Sequence, residues 1–315
     1  MKTQLAAGID IGGTNTIFGL VDQTGKIHER GHLSTLSYPT AETLVDAIAE
    51  KINDYTDKHR SALELIGAGA GVPNGNFFSG CIEYAPNLKW KGVIPLASYF
   101  ETRLSCPAFL TNDAKAAALG ELLFGGATGL NDFLFITLGT GLGCGLVSNG
   151  ELVYGHDGMA GELGHTVFIP DGRLCGCGRK GCLETYCSAS GIKKTYLELT
   201  GLPHTPEIDA RFIYEKALDG QKEALDSFYQ TGKWLGLALA NYASVTGPSD
   251  IFLFGGLAQA GDLIFLPVKK YFELNLLQVF RNKINIRRSL LPENDAPVLG
   301  AASLAWKHLK KGSSE

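Results

Sequence analysis

Two stretches of this 315-residue chain read alike, and together they restrict its fold more than any other feature. One passes through Gly12, Gly13 and Thr14, the other through Gly139, Thr140 and Gly141. With Gly13-Thr14 set on Gly139-Thr140, Gly19-Leu20-Val21 falls on Gly145-Leu146-Val147. Each copy is an apolar β-pattern, a Gly/Thr turn and a second β-pattern. Each then enters a polar turn, Asp22-Gln23-Thr24-Gly25 or Ser148-Asn149-Gly150. Short apolar runs around a glycine turn read as hairpins. A domain present twice is a natural reading of the repetition.

The remaining pattern alternates strands and helices. Strands are expected at 4–10, 16–22, 26–33, 66–71, 108–111 and 251–254. Helices are expected at 41–59, 113–123, 210–218, 221–246, 263–280 and 299–309. In the first helix Leu44, Ile48 and Ile52 recur at helical spacing. Interleaved strands and helices indicate an α/β class. Hydrophobic residues make up 45% and charged residues 19%, enough for a full core. The net charge is -4 and no basic stripe is visible, which argues against a nucleic-acid partner. The apolar stretch before Asp10 is too short for an export signal. The uncharged run 133–150 approaches the length of a membrane span, but five of its residues are glycines (139, 141, 143, 145 and 150). Two strands joined by a glycine turn explain it better. A cytoplasmic protein with no membrane contact is expected.

The glycine turns have a chemical reading as well as a structural one. In Asp10-Ile11-Gly12-Gly13-Thr14-Asn15 the glycines let backbone N–H groups approach an anion such as a phosphate. Thr14 and Asn15 add side-chain donors. Asp10, at a strand end, suits Mg²⁺ held through water. A tight hairpin would also need glycine here. Thr140 and Gly141 offer a second donor-rich turn. It is followed by a strand, so it is neither a P-loop nor a dinucleotide fingerprint. Gly255-Gly256, after a buried strand, could pack against an adenine or ribose.

Asn112-Asp113 stands where a strand gives way to a helix. Either residue suits a helix N-cap. Asp113 also suits a general base at the carboxyl end of a strand, where α/β sheets bind ligands. Glu162, His165 and Glu184 add two carboxylates and an imidazole, and Asn87 adds an amide. Carboxylates suit a polyol because each accepts from more than one hydroxyl. His165, Cys175, Cys177 and Cys182 form His-x9-Cys-x-Cys-x4-Cys. Three thiolates and one imidazole match a closed structural Zn²⁺ site. Without an export signal, that spacing favours metal over disulfides.

Together these residues resemble the ROK family (repressor, open reading frame, kinase), in particular its bacterial glucokinase and hexokinase members. The resemblance covers nearly the whole chain. It rests on DIGGTN at 10–15, APNL at 85–88, LTNDAKAAALGE at 110–121, ITLGTGLGCG at 136–145, and AGELGHTVF…CGCGRKGCLET between 160 and 185. It implies an actin-like (ribonuclease H-like) fold of two α/β lobes with a cleft between them. The lobes would be 1–112, completed by the C-terminal helix 297–315, and 113–296, with a zinc loop at 165–182. It implies Asp113 as catalytic base. Gly75, Asn76, Asn87, Asn112, Asp113, Glu162, His165 and Glu184 would bind the sugar. Asp10, Gly12, Gly13, Thr14, Asn15, Thr140 and Gly141 would surround Mg²⁺ and the ATP phosphates, with Gly255 and Gly256 near the adenosine. Many members carry Lys where this chain has Asn15.

The expected reaction is transfer of the γ-phosphate of ATP to a hexose, with glucose first. Kinases of the same family acting on N-acetylglucosamine, N-acetylmannosamine, mannose or fructose are the alternatives, as is a sugar sensor without catalysis. Family repressors carry a DNA-binding segment before the first glycine motif, where this sequence has nine residues before Asp10. By analogy with the family, a homo-oligomer is expected.

Overall fold

The computed structural model describes residues 2–311. Its elements run β1 (Thr3–Ile11), β2 (Asn15–Asp22), β3 (Ile27–Ser34), α1 (Ala41–Lys58), β4 (Leu63–Gly71), β5 (Gly75–Asn76), β6 (Cys81–Glu83), β7 (Val93–Ile94), α2 (Leu96–Leu104), β8 (Ala108–Thr111) and α3 (Asp113–Phe124). There follow β9 (Phe133–Leu138), β10 (Leu142–Ser148), β11 (Glu151–Leu152), α4 (Ala189–Thr200), α5 (Ala210–Leu218), α6 (Lys222–Thr246), β12 (Asp250–Phe254), α7 (Asp262–Asn275), β13 (Asn285–Arg288) and α8 (Ala296–Lys311). Residues 312–315 of the expected C-terminal helix lie outside the described residues.

The chain divides into two compact units. One comprises 1–130, 152–160 and 290–315, and the other 131–151 and 161–289. The first therefore extends past the expected boundary at 112 and takes in α3. Helix α3 packs on α8 of the same unit, and their backbones nearly touch at Gly120 and Gly300. A Cβ on Gly120 would stand 2.9 Å from the Gly300 Cα.

The first unit is built on a five-stranded sheet of order β3-β2-β1-β4-β8. β1, β2 and β3 pair antiparallel, whereas β1–β4 and β4–β8 pair parallel. Leu5, Ala7 and Ile9 of β1 join the core beneath α1 and α2. The alternate face meets α8, as the period of two along a strand requires. Gly8 and Gly69 are needed there, because a Cβ on either would overlap a backbone carbonyl of α8, at Val298 or Ala301. Helix α1 starts where Thr40 caps it in a box with Thr43. It buries Ala41, Leu44, Val45, Ile48, Ala49 and Ile52. Each such Leu, Val or Ile contributes about 1.5–3 kcal/mol.

The second unit repeats the plan, with order β11-β10-β9-β12-β13. β9 and β10 form the antiparallel hairpin, and β9–β12 and β12–β13 pair parallel. Leu134, Ile136 and Leu138 enter a core shared with α4 to α7, while Phe133 and Phe135 meet Phe252 and Phe254. The repeat read from the two glycine turns is thus a repeat of sheet order. The expected helix 263–280 ends at Asn275, because Leu276 turns to an extended conformation. Among the described residues no helix is long and apolar enough to cross a membrane.

Candidate active site

In the first unit the parallel strands deliver their chemistry at their carboxyl ends. Asp10 lies near the end of β1, opposite Gly71 of β4. Gly71 is also the close neighbour of Asp113. A Cβ there would lie 3.6 Å from Asp10 Oδ1 and 3.5 Å from the Asp113 Cα. The two carboxylates thus share a neighbourhood that only a small residue leaves open. Desolvation, then the charge of Asp113, pushes the Asp10 pKa up to about 7. A divalent cation beside Asp10 would relieve that repulsion, so the carboxylates fit Mg²⁺.

Asp113 is the first residue of α3, and the cap is Asn112, whose side chain accepts from the Ala114 N–H at 2.9 Å. The sequence left capping open between these two residues, and the structure gives it to Asn112. Asp113 also accepts from Ala114, at 2.8 Å, and its side chain stays accessible. Desolvation by the surrounding protein raises its pKa, with the Ala114 N–H pulling the other way.

The turn after β1 is closed by Gly12 N–H donating to Asn15 O at 2.9 Å, and Thr14 and Asn15 are exposed. A Cβ on Gly13 would overlap the Asn87 carbonyl oxygen, so the turn and the 85–88 segment touch. Gly75 packs in the same way on the Thr111 carbonyl, just before Asn112. Asn76 is buried, and its amide is committed. It donates to Asp157 O at 2.7 Å and accepts from Phe78 N–H at 2.9 Å. Lys115, missed in the sequence, is buried and donates to the next carbonyl, Gly158 O, at 2.8 Å. A lysine two residues beyond Asp113, inside a helical pattern, gave no sign of burial.

In the second unit Gly139 to Gly141 form the turn between β9 and β10. Ala189 N–H and Ser190 Oγ of α4 bind the Gly139 and Thr140 carbonyls, each at 2.8 Å. A Cβ on Gly141 would stand 2.7 Å from Glu184 Oε2, so this turn borders that carboxylate. Gly255 follows β12 with φ +97, a conformation that favours glycine. A Cβ on it would lie 2.8 Å from Leu138 O, at the end of β9, while Gly256 faces open space. Thr140, Gly141, Gly255 and Gly256 therefore follow the carboxyl ends of the neighbouring strands β9 and β12.

His165 ends a short 3₁₀ turn, 163–165, that opens after Glu162, an exposed residue. The donor atoms of His165, Cys175, Cys177 and Cys182 all lie within 4.8 Å of one another. Cys177 Sγ is 3.6 Å from Cys182 Sγ, and Cys175 Sγ is 3.6 Å from His165 Nδ1. Zinc–sulfur bonds of about 2.3 Å in a tetrahedron set sulfurs about 3.8 Å apart. The four residues therefore fit zinc, with Nδ1 as the imidazole donor. Gly178 and Gly181, with φ of +87 and +79, supply the bends. Glu184 Oε1 lies 3.0 Å from Cys175 Sγ and 3.6 Å from His165 Nδ1. Burial pushes the thiols of Cys175 and Cys182 up. At Cys177 desolvation acts the same way, but hydrogen bonds led by Arg179 outweigh it and bring the pKa down to about 6.

Comparison with known proteins finds relatives along nearly the whole chain. A protein of Streptomyces coelicolor named glucokinase is 36% identical over 318 residues, spanning 96% of this chain and 97% of its own length. The structure of a ROK family glucokinase from Streptomyces griseus in complex with glucose and AMPPNP is similar, at 34% identity and a TM-score of 0.79. It covers 96% of this chain and 99% of its own. The ROK hexokinase of Thermus thermophilus is 28% identical with a TM-score of 0.85, covering 98% of this chain and 99% of its own. ROK sugar kinases have the actin-like fold, which the two similarly ordered sheets share. The ROK family model itself matches residues 6–308, from the first strand through the His/Cys loop to the last helix, and this chain belongs to that family.

Proposed function

We propose that this protein transfers the γ-phosphate of ATP to a hydroxyl of a hexose, with glucose as the sugar and O6 as the acceptor. The observation that carries the reading is Asp113. It is an accessible carboxylate with a raised pKa, set beside Asp10 in a chain of this family. The cap position of α3 belongs to Asn112, so Asp113 is not needed as the cap.

Asp113 accepts the proton of the attacking hydroxyl. The sugar oxygen forms the new bond to the γ-phosphorus, and ADP leaves with the electrons of the broken bond. Asn87, Asn112, Glu162 and Glu184 offer the sugar acceptors and donors, and Gly75 and the fixed Asn76 form a rigid wall. The turns at Gly12 to Asn15 and at Thr140-Gly141 donate N–H groups to the phosphates. Gly255 and Gly256 leave room for the adenosine. Asp10 is the residue to hold Mg²⁺, which supplies charge neutralisation on the phosphates when bound. His165, Cys175, Cys177 and Cys182 are the residues to hold zinc, which supplies a fixed tetrahedral anchor. With Nδ1 facing the thiols, Nε2 of His165 is left for a sugar hydroxyl. Closely spaced free thiols fit a reducing compartment, so we place the reaction in the cytoplasm.

The test is ADP release in a coupled assay with ATP, Mg²⁺ and glucose, mannose, fructose, N-acetylglucosamine or N-acetylmannosamine in turn. Glucose is expected to give the highest kcat/KM. Asp113→Ala is expected to lower kcat by about 10²–10⁴. A larger kcat/KM for another sugar reassigns the substrate. No stimulation by any sugar overturns the kinase reading in favour of a sensor.

A further inference from the structure

Arg173 occurs in none of the motifs above, yet it is the most completely bonded side chain of the metal loop. Its side chain is 11% exposed. A guanidinium has five N–H donors in a rigid fork, and here each has a partner. Nε donates to Glu198 Oε1 at 2.9 Å, and Nη2 donates to Glu198 Oε2 at 2.5 Å and to Thr195 Oγ1 at 3.0 Å. Nη1 donates to Thr185 O at 2.7 Å and to Gly191 O at 3.2 Å. The guanidinium also lies over the ring of Tyr186, 4.6 Å from its centroid, with Trp234 at 5.7 Å. Gly191, Thr195 and Glu198 recur at spacings of four and three along α4, so they share one helix face.

The backbone of Arg173 is held as firmly. Its N–H donates to the Tyr186 hydroxyl at 2.9 Å. Its carbonyl accepts from Gly181 N–H at 2.8 Å, one residue before Cys182. Within that closure Leu174 bridges Lys180, and Cys175 N–H donates to Arg179 O at 2.9 Å. The segment 173–181 is thus a small hairpin that carries Cys175 and Cys177, with Cys182 following directly. Arg173 stands at its base. Its fork reaches Thr185, the neighbour of Glu184.

We infer that Arg173 is a positioning residue that fixes the metal hairpin to α4 and sets Glu184 against it. The inference rests on the metal and sugar roles proposed above. A hairpin held by one bidentate pair, two carbonyls and two rings keeps its ligand geometry without help from the metal. Zinc then meets a preformed site, and its release requires the hairpin to open against these contacts. A lysine cannot replace the fork, because it offers one point charge and no plane to stack.

The experiment uses the zinc-loaded holoenzyme. Zinc transfer to an excess of a chromogenic chelator is timed for the native protein and for Arg173→Met, Arg173→Lys and Glu198→Gln. Sugar KM, ATP KM and kcat are measured on the same preparations. Arg173→Met is expected to speed zinc release about tenfold or more, the usual scale for an outer-shell contact. It should raise the sugar KM by a similar factor, while kcat and the ATP KM stay within about twofold. Arg173→Lys should fail to restore either value. Glu198 is 61% exposed, so Glu198→Gln tests the fork without hollowing the interior, and it should speed release about threefold or more even if Arg173→Met does not fold. Native release rates and sugar KM in these variants overturn the inference alone. A native protein that takes up no zinc overturns the metal reading, and the inference with it.

Discussion

Asp10 and Asp113 show how little distance separates a structural strand end from a chemical one. Asp10 stands next to last in β1, between the buried Ile9 and Ile11, and its pKa of about 7 stands far above the ordinary 3.8. The folded chain therefore binds a proton there that the unfolded chain releases. That contribution to stability is fully present below about pH 3.8 and is lost as pH rises through about 7. Asp10→Asn should remove it. In the absence of nucleotide and metal, the substituted protein should lose less stability than the native one between those two pH values. Urea midpoints measured across that range check this, and parallel pH curves for the two proteins would refute it. The sequence drew attention to both aspartates because Asp10 ends one β-pattern and Asp113 comes soon after another. It did not reveal that they are neighbours, since Gly71, which brings them together, looks like any strand glycine.

At the scale of elements the clustering of His165, Cys175, Cys177 and Cys182 was legible and its support was not. The cluster could be read because its three cysteines and the glycines at the bends fall within one short stretch. Helix α4, which carries most of the support, escaped. Its boundaries are ordinary ones, a Ser188 cap accepting from Gly191 N–H and a Gly201 stop with φ +68. Its buried side chains, Ile192, Thr195 and Tyr196 beside Gly191, make too narrow and too polar a stripe to stand out in sequence. Gly191, Thr195 and Glu198, three of the partners of Arg173, lie on that helix, so nothing beside Arg173 in the sequence points to its contacts. If the hairpin holds His165 and Glu184 in place for the sugar, Cys177→Ser should lower zinc content and raise the sugar KM together. Metal analysis beside steady-state kinetics reads both. Full activity in a zinc-free Cys177→Ser protein would remove the metal from the sugar-binding argument.

For the whole molecule, the glycine turns exposed the duplication because each is the bend of an antiparallel hairpin at the head of a five-stranded sheet. Turn chemistry is local, so it survives in the sequence. The boundary between units is not local. It depends on α3 lying against α8, two helices from distant parts of the chain whose contact is set by Gly120 and Gly300. The first unit is consequently incomplete until the last helix has been made. Helix α8 covers β1 and β4, and within it Val298, Ala301, Ala302, Leu304 and Trp306 are buried. The Trp306 indole also donates to Val21 O of β2 at 3.2 Å. Removing that side chain opens a cavity and leaves a carbonyl without its donor, a loss of about 3–5 kcal/mol. Two units with separate cores need not unfold as one. Trp306→Ala should therefore lower the urea midpoint of the transition that belongs to the first unit. The transition reported by the second unit should move less. Hydrogen exchange followed peptide by peptide through the urea series separates the two. Equal loss of protection in β1 and β9 peptides would mean that the units unfold together and that the last helix stabilises the entire chain.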